Sequence, residues 1–289
     1  MAKSFYYGGQ AVVEGVMMRG QKNMVIAVRR PQGDVVTDTQ PLSRIYTGWM
    51  RRTPLLRGIV VLIEATVLGM KSLLYSANVA LEEEGEKVSG GMVWTILTVA
   101  MAIAVGLFLV VPLFLTKLLH INNPVLFNFV DGLIRVAIFI AYLKVMTLVP
   151  DIRRVFAYHG AEHKVINAFE DGVPLEVEAV SQHSTRHVRC GTSFLFVVLI
   201  MSVFLFALVG LRSSWMMLFW RFLLVPVIAS FSYEVVYFAA RHVNNIIVRI
   251  FVAPGLWLQA LTTRQPDAGQ MEVAIAALKG VLAADQPVP

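Results

Sequence analysis

A chain of 289 residues that is 57% apolar, with a mean hydropathy of +0.66, is too apolar for an ordinary soluble protein and reads as a membrane protein. Its net charge of +6 is gathered in loops with no basic-aromatic stripe, which argues against a nucleic-acid partner. A single cysteine excludes an intramolecular disulfide, and the N-terminus lacks the apolar core of a cleaved signal peptide.

Residues 1–53 read as a small N-terminal β-containing segment. Met24 to Arg30 and Val35 to Thr39 flank Pro31-Gln32-Gly33-Asp34, a turn that predicts a β-hairpin. One hairpin is not stable alone, so it must pack on something larger. The glycines between Gly8 and Gly20 surround Glu14 and Arg19 without a P-loop lysine, which suggests close backbone packing.

Residues 54–91 start at Thr53-Pro54, a helix-opening pair. The helix runs to Leu81, with Arg57, Glu64, Lys71 and Tyr75 as a narrow polar stripe. As a transmembrane segment it would turn every later loop to the opposite side, so it reads as interfacial or re-entrant. Glu82 to Glu86 then forms a solvated turn. Residues 92–150 hold the first two predicted spans, Val93 to Leu115 and Val125 to Val149. Residues 193–243 hold two more, Phe194 to Leu211 and Trp215 to Ala240. In residues 244–289, Asn244 to Leu261 is interfacial. Gln265-Pro266-Asp267 opens a short C-terminal helix to about Leu282 that packs through Val273, Ile275, Ala276, Leu278 and Val281. The fold class is thus mainly α, a polytopic helical membrane protein with four spans.

Eight Lys/Arg lie in residues 1–53 and five in 151–192, whereas the loops after the first and third spans offer Lys117 and Arg212. This positive-inside bias places both termini and residues 151–192 in the cytoplasm. Within the spans, Asp131 and Arg135 are spaced to pair on one helix, and Arg221 is expected to snorkel outward. Glu234 reads either as an additional metal ligand or proton carrier, or as an interhelical bond to Arg or Tyr.

The chemistry concentrates in residues 151–192. His159-Gly-Ala-Glu162-His163 is an H-x-x-E-H sequence that puts two imidazoles on one helical face, as two ligands of one metal ion require. Ile152, Val155, Phe156, Ile166 and Glu170 share that packed face, while the cations Arg153, Arg154 and Lys164 lie on exposed sides. His183, His187 and Cys190 follow. Two outcomes stay open: a closed His/His/His/Cys set holding a structural zinc, or three ligands with an open position and Glu162 as general base. Glu170 is a further candidate ligand.

The segments from Gly8 to Gly20, Pro54 to Gly58, Tyr158 to Lys164, His187 to Phe194, Ser232 to Glu234, Pro254 to Gln259 and Thr262 to Asp267 resemble the bacterial YqhQ-type membrane proteins. That resemblance covers almost the whole chain and implies a predicted metal-dependent enzyme of the bacterial inner membrane. It selects His159, Glu162, His163, His187 and Cys190, and leaves His183 as a surface histidine. The expected function is a membrane-embedded, Zn2+-dependent hydrolase at the cytoplasmic face, with the lipid bilayer and a membrane-protein substrate or partner around it. The alternatives are a non-catalytic assembly factor with a structural metal and a transporter of metal or small solutes.

Overall fold

The computed structural model describes residues 5, 7–82, 90–208, 214–242 and 244–286. The acidic turn at 83–86, the far end of the third predicted span and Arg212 lie outside them. Strands β1 (Gly8–Val12), β2 (Gly15–Arg19), β3 (Asn23–Arg29) and β4 (Val35–Pro41) form an antiparallel meander in chain order. The predicted hairpin is β3–β4, and the glycine-rich opening supplies two strands that the hairpin reading did not include. Gly33 takes φ +95° in the β3–β4 turn, a conformation that excludes most side chains.

Side chains of β3 alternate between two cores. Val25 and Ala27 face one, while Met24, Ile26 and Val28 face the other. The first is closed by α6 (Pro150–Glu170) and α11 (Ala268–Asp285) through Tyr158, Val165, Val273, Ala274, Leu278 and Val281. The second is closed by α2 (Leu56–Ala80) through Val60 and Leu68, after the short α1 (Arg44–Thr47) and a 3-10 turn at Trp49–Arg51. Both faces of the sheet are therefore covered, which answers the hairpin's need for support. The C-terminal helix is stopped from fraying by an Asp267–Gln270 capping box.

Helix α3 (Gly90–Val105) continues through a π-helical turn, Gly106–Val110, into α4 (Val111–Leu118). Pro112 has no N–H to return to the carbonyl of Phe108, four residues earlier. That freed oxygen accepts Arg135 Nε at 2.9 Å from α5 (Pro124–Met146). Then come α7 (Val177–Ser181), α8 (Gly191–Ala207), α9 (Ser214–Arg241) and α10 (Ile246–Thr262).

Among the described residues, four helices are long and apolar enough to cross a membrane: Leu56–Ala80, Trp94–Leu118, Pro124–Met146 and Trp215–Arg241. Three of these match predicted spans. The fourth is α2; the predicted span from Phe194 to Leu211 is described only to residue 208 and there forms the apolar helix α8. Much of α2's inner face lies along the sheet. Its outer face presents Ile63, Val67 and Leu73.

The Asp131–Arg135 pair forms as spaced, at 2.6 Å. Arg221 does not snorkel: it is 1% exposed and donates to Asp131 Oδ1 at 2.9 Å. A buried carboxylate that can accept from two helices holds it inward more strongly than the interface draws it out. Ser202 Oγ accepts from Arg135, and both guanidiniums lie over the Phe206 ring.

Candidate metal centre

Pro150 opens α6 at its first position, where a missing N–H removes nothing from the helix, and Asp151 adds negative charge to the first turn. Four-residue spacing then stacks His159 on His163, with ring centroids 4.4 Å apart. Nδ1 of His159 lies 2.8 Å from the carbonyl oxygen of Thr262, and Nδ1 of His163 lies 2.6 Å from that of Thr185. A carbonyl oxygen only accepts, so both Nδ1 atoms carry protons, which leaves the Nε2 atoms as the possible ligand atoms. His159 Nε2 sits 3.2 Å from Cys190 Sγ. Ligand atoms of His159, His163 and Cys190 all fall within 4.8 Å of one another. Outer groups that fix the tautomer of each imidazole are a regular feature of histidine-ligated metals, and soft sulfur with two imidazoles suits a zinc-type ion. Burial pushes the His163 imidazole below its usual pKa, with Cys190 opposing, which keeps the ring neutral.

Cys190 is the N-cap of α8, its Sγ 3.4 Å from the Thr192 N–H. Strand β1 approaches from the other side, where the Gly9 N–H donates to Glu162 Oε1 at 3.0 Å. A side chain on Gly9 would press on both Glu162 and the Met17 carbonyl, so Gly9, like Gly15 against Ala27, serves close backbone packing, whereas Gly8 has open space around it. Glu162 is 5% exposed. Burial raises its pKa above the usual carboxylate range, while His159 and the Gly9 N–H pull it back. Glu162 and the three clustered residues line a single cavity of about 320 Å3, together with Tyr7, Arg19, Arg51, Glu64 and Arg189.

Other expected site residues fall outside this three-residue cluster, although His187 lines the same cavity. His187 is outside the ligand cluster, with its ring centroid 5.8 Å from that of His163 and its Nε2 3.4 Å from Glu170. Its backbone is clamped by Gln259, whose amide accepts the His187 N–H and donates to its C=O, each at 2.8 Å. Glu170 is engaged by Arg189 and His187, away from the cluster. Glu234 is not grouped with the three clustered residues. Arg57 and the Leu55 N–H hold it, the interhelical alternative, and Leu55 adopts φ +64° to reach it. His183, 3.3 Å from Asp171, has the peripheral place expected. Lys164 corrects the wheel: it is buried, and its Nζ donates to the carbonyls of Ser181 and His183 at 2.6 Å each. An ammonium can be buried when carbonyls replace its water, and here it ties the irregular loop to α6.

The cavity's second wall was not foreseen. Glu64 accepts from Arg19 and from Arg51, and Arg19 also donates to the Tyr46 carbonyl. Arg19 and Glu64 were visible as charges in apolar or glycine-rich surroundings, but nothing in their spacing linked them. Gly160, a weak helix residue mid-motif, is explained by crowding: a Cβ there would collide with the Arg264 carbonyl oxygen. Gly160→Ala should lower stability by about 1–3 kcal/mol through forced separation of α6 from residue 264, measured by thermal unfolding in detergent.

A family model matches residues 53–284 of the chain, which is most of its length and includes every candidate ligand. The chain belongs to the family described as "Protein of unknown function (DUF1385)". A relative in Bacillus subtilis (strain 168), "Uncharacterized protein YqhQ", is 35% identical over 96% of this chain and 92% of its own length. No solved structure matches the chain. The expected family resemblance is thus established, and the family's description assigns neither a metal nor an activity. In this DUF1385 protein the family match begins at residue 53, so the β1 strand that contacts Glu162 lies before it, though the Bacillus relative aligns over nearly the whole chain.

Proposed function

We propose that this DUF1385 protein is a membrane-embedded, zinc-type metal-dependent hydrolase working at the cytoplasmic face of a bacterial inner membrane. The observation that carries the reading is the pairing of three convergent ligand atoms with a buried carboxylate on one cavity. His159, His163 and Cys190 would hold the ion, leaving a further position toward the cavity, which is the pattern of catalytic rather than closed structural sites. When bound, the ion supplies Lewis acidity.

The chain's own residues supply the rest. Glu162 is poised to take a proton from the attacking water and return it to the leaving group, so that water adds across the broken bond. Gly9 N–H fixes the carboxylate, and the Thr262 and Thr185 carbonyls fix the two imidazoles. Tyr7, Met17 and Leu68 restrict water on the cavity wall.

The assembly reading keeps one observation in its favour: the same contacts join β1, α6, α8 and α10, so a metal could simply staple them. Transport is less favoured, because Asp131 and Glu234 are each taken up by arginines. Glu162→Gln separates the first two readings. It should retain metal and the wild-type unfolding midpoint but lose roughly 100-fold or more in hydrolysis of ester, amide or phosphoester reporters, within the range of general-base removal. Unchanged hydrolysis in this variant would sink the mechanism.

A further inference from the structure

On the other side of α6 from the metal cavity lies a larger groove of about 800 Å3, walled by Arg153, Arg154, Arg186 and Arg264. Arg154 is committed to Glu14, and Arg153 reaches only the neutral carbonyl of Thr147. Among the described residues, no ion pair or hydrogen bond occupies the guanidinium of Arg186 or Arg264, and both residues are exposed. Asp267 also lines the groove, but one of its oxygens already caps α11. The groove therefore carries a surplus of positive charge beside helix ends.

Its position matters as much as its charge. Pro150 stands just past the end of the α5 span, and Ala260 and Thr263 mark the end of α10. Exposed apolar side chains stand close in the chain to its lining: Val145 and Leu148 shortly before Pro150, and Trp257 one helical turn before Ala260. A cationic cup with an aliphatic and indole margin matches an amphiphile with a phosphate at one end and acyl chains at the other. Indole rings sit at the headgroup level of membranes, and cations near an anionic leaflet attract it by about 1 kcal/mol each.

We infer that this groove binds the headgroup of an anionic phospholipid, with Arg186 and Arg264 on the phosphate and the acyl chains along Leu148 and Trp257. The inference is independent of the metal. Arg264 provides the link between the two sites, since its backbone carbonyl packs on Gly160, one residue from His159. A lipid seated here would steady the contact between the membrane helices and the ligand-bearing helix.

The test uses the full chain reconstituted in phosphatidylcholine vesicles with and without phosphatidylglycerol, alongside Arg186→Gln and Arg264→Gln, singly and combined. Both positions are exposed, so folding should persist. Wild type should unfold at higher temperature with phosphatidylglycerol present and should carry that lipid through detergent extraction, as read by mass spectrometry. Each substitution should weaken retention roughly fivefold, the loss expected for one cation at an anionic surface. The double variant should behave alike in both vesicles. Equal phosphatidylglycerol dependence in wild type and double variant would overturn the proposal. So would full replacement of the lipid effect by inorganic phosphate in phosphatidylcholine vesicles. Metal content, measured in parallel, should not change, which keeps this outcome separate from the hydrolase reading.

Discussion

Purified from metal-replete cells, the wild-type protein is expected to retain a zinc-type ion that His163→Ala and Cys190→Ser each lose, while His187→Ala keeps it. Removal of a direct ligand should reduce affinity by more than the roughly 10–100-fold that outer-shell changes cost. His187 faces Glu170 and Arg189, so its truncation should be mild. Metal analysis after dialysis, with chelator competition to rank affinities, measures this. Equal loss in His163→Ala and His187→Ala would mean that the cluster includes a third histidine. Wild type free of metal would remove the proposed chemistry altogether. The three ligands differ in context, too. Cys190 caps α8, so Cys190→Ser is preferable to alanine: serine preserves a cap acceptor and changes mainly the metal donor.

The largest loss of stability is expected at Asp131. It is 1% exposed and accepts from Arg135 and Arg221, which are themselves 3% and 1% exposed. Asp131→Ala leaves two guanidiniums in an apolar bundle, and one nitrogen of Arg221 lacks an acceptor already. Breaking a buried pair by removing one partner costs about 3–5 kcal/mol. Unfolding in mixed micelles should show that loss. The triple replacement Asp131→Ala, Arg135→Leu and Arg221→Leu should recover much of it, since no stranded charge remains. A change below about 1 kcal/mol for Asp131→Ala would mean that water reaches the cluster, as at an exposed ion pair.

Local spacing made several of these features readable. The i to i+4 histidines, the Asp131–Arg135 pair and the Asp267 cap all depend on positions a few residues apart, where helical geometry dictates who meets whom. The β3–β4 hairpin followed from its turn for the same reason. What escaped were contacts set by the tertiary fold. The strands β1 and β2 were hidden because glycine has poor strand propensity, and here it is tolerated for the sake of close approach to Glu162 and Ala27. Arg221 meets Asp131 across ninety positions of chain, and Gln259 meets His187 across seventy-two. Polarity alone assigned Lys164 to solvent, yet a loop full of carbonyls reorganised around it. Likewise, composition could nominate His159, His163, His187 and Cys190 as ligands, but only the orientation of each ring separates His187 from the rest.

Consider finally the sheet whose one face is closed by α6 and α11. Its strands precede every described apolar helix in the chain, and α11 follows them. Asp285, at the end of α11, even accepts the backbone N–H groups of Gln21 and Lys22 in the β2–β3 turn. A nascent chain must therefore carry this face of the sheet only partly covered, by α6 alone, while α8, α9 and α10 are made. Translation order thus acts as a safeguard: Thr262 cannot orient His159 until α10 exists, so a product stalled before α10 holds the three candidate ligands with the His159 ring unfixed. Such a chain also exposes strand surface that quality-control proteases and chaperones recognise.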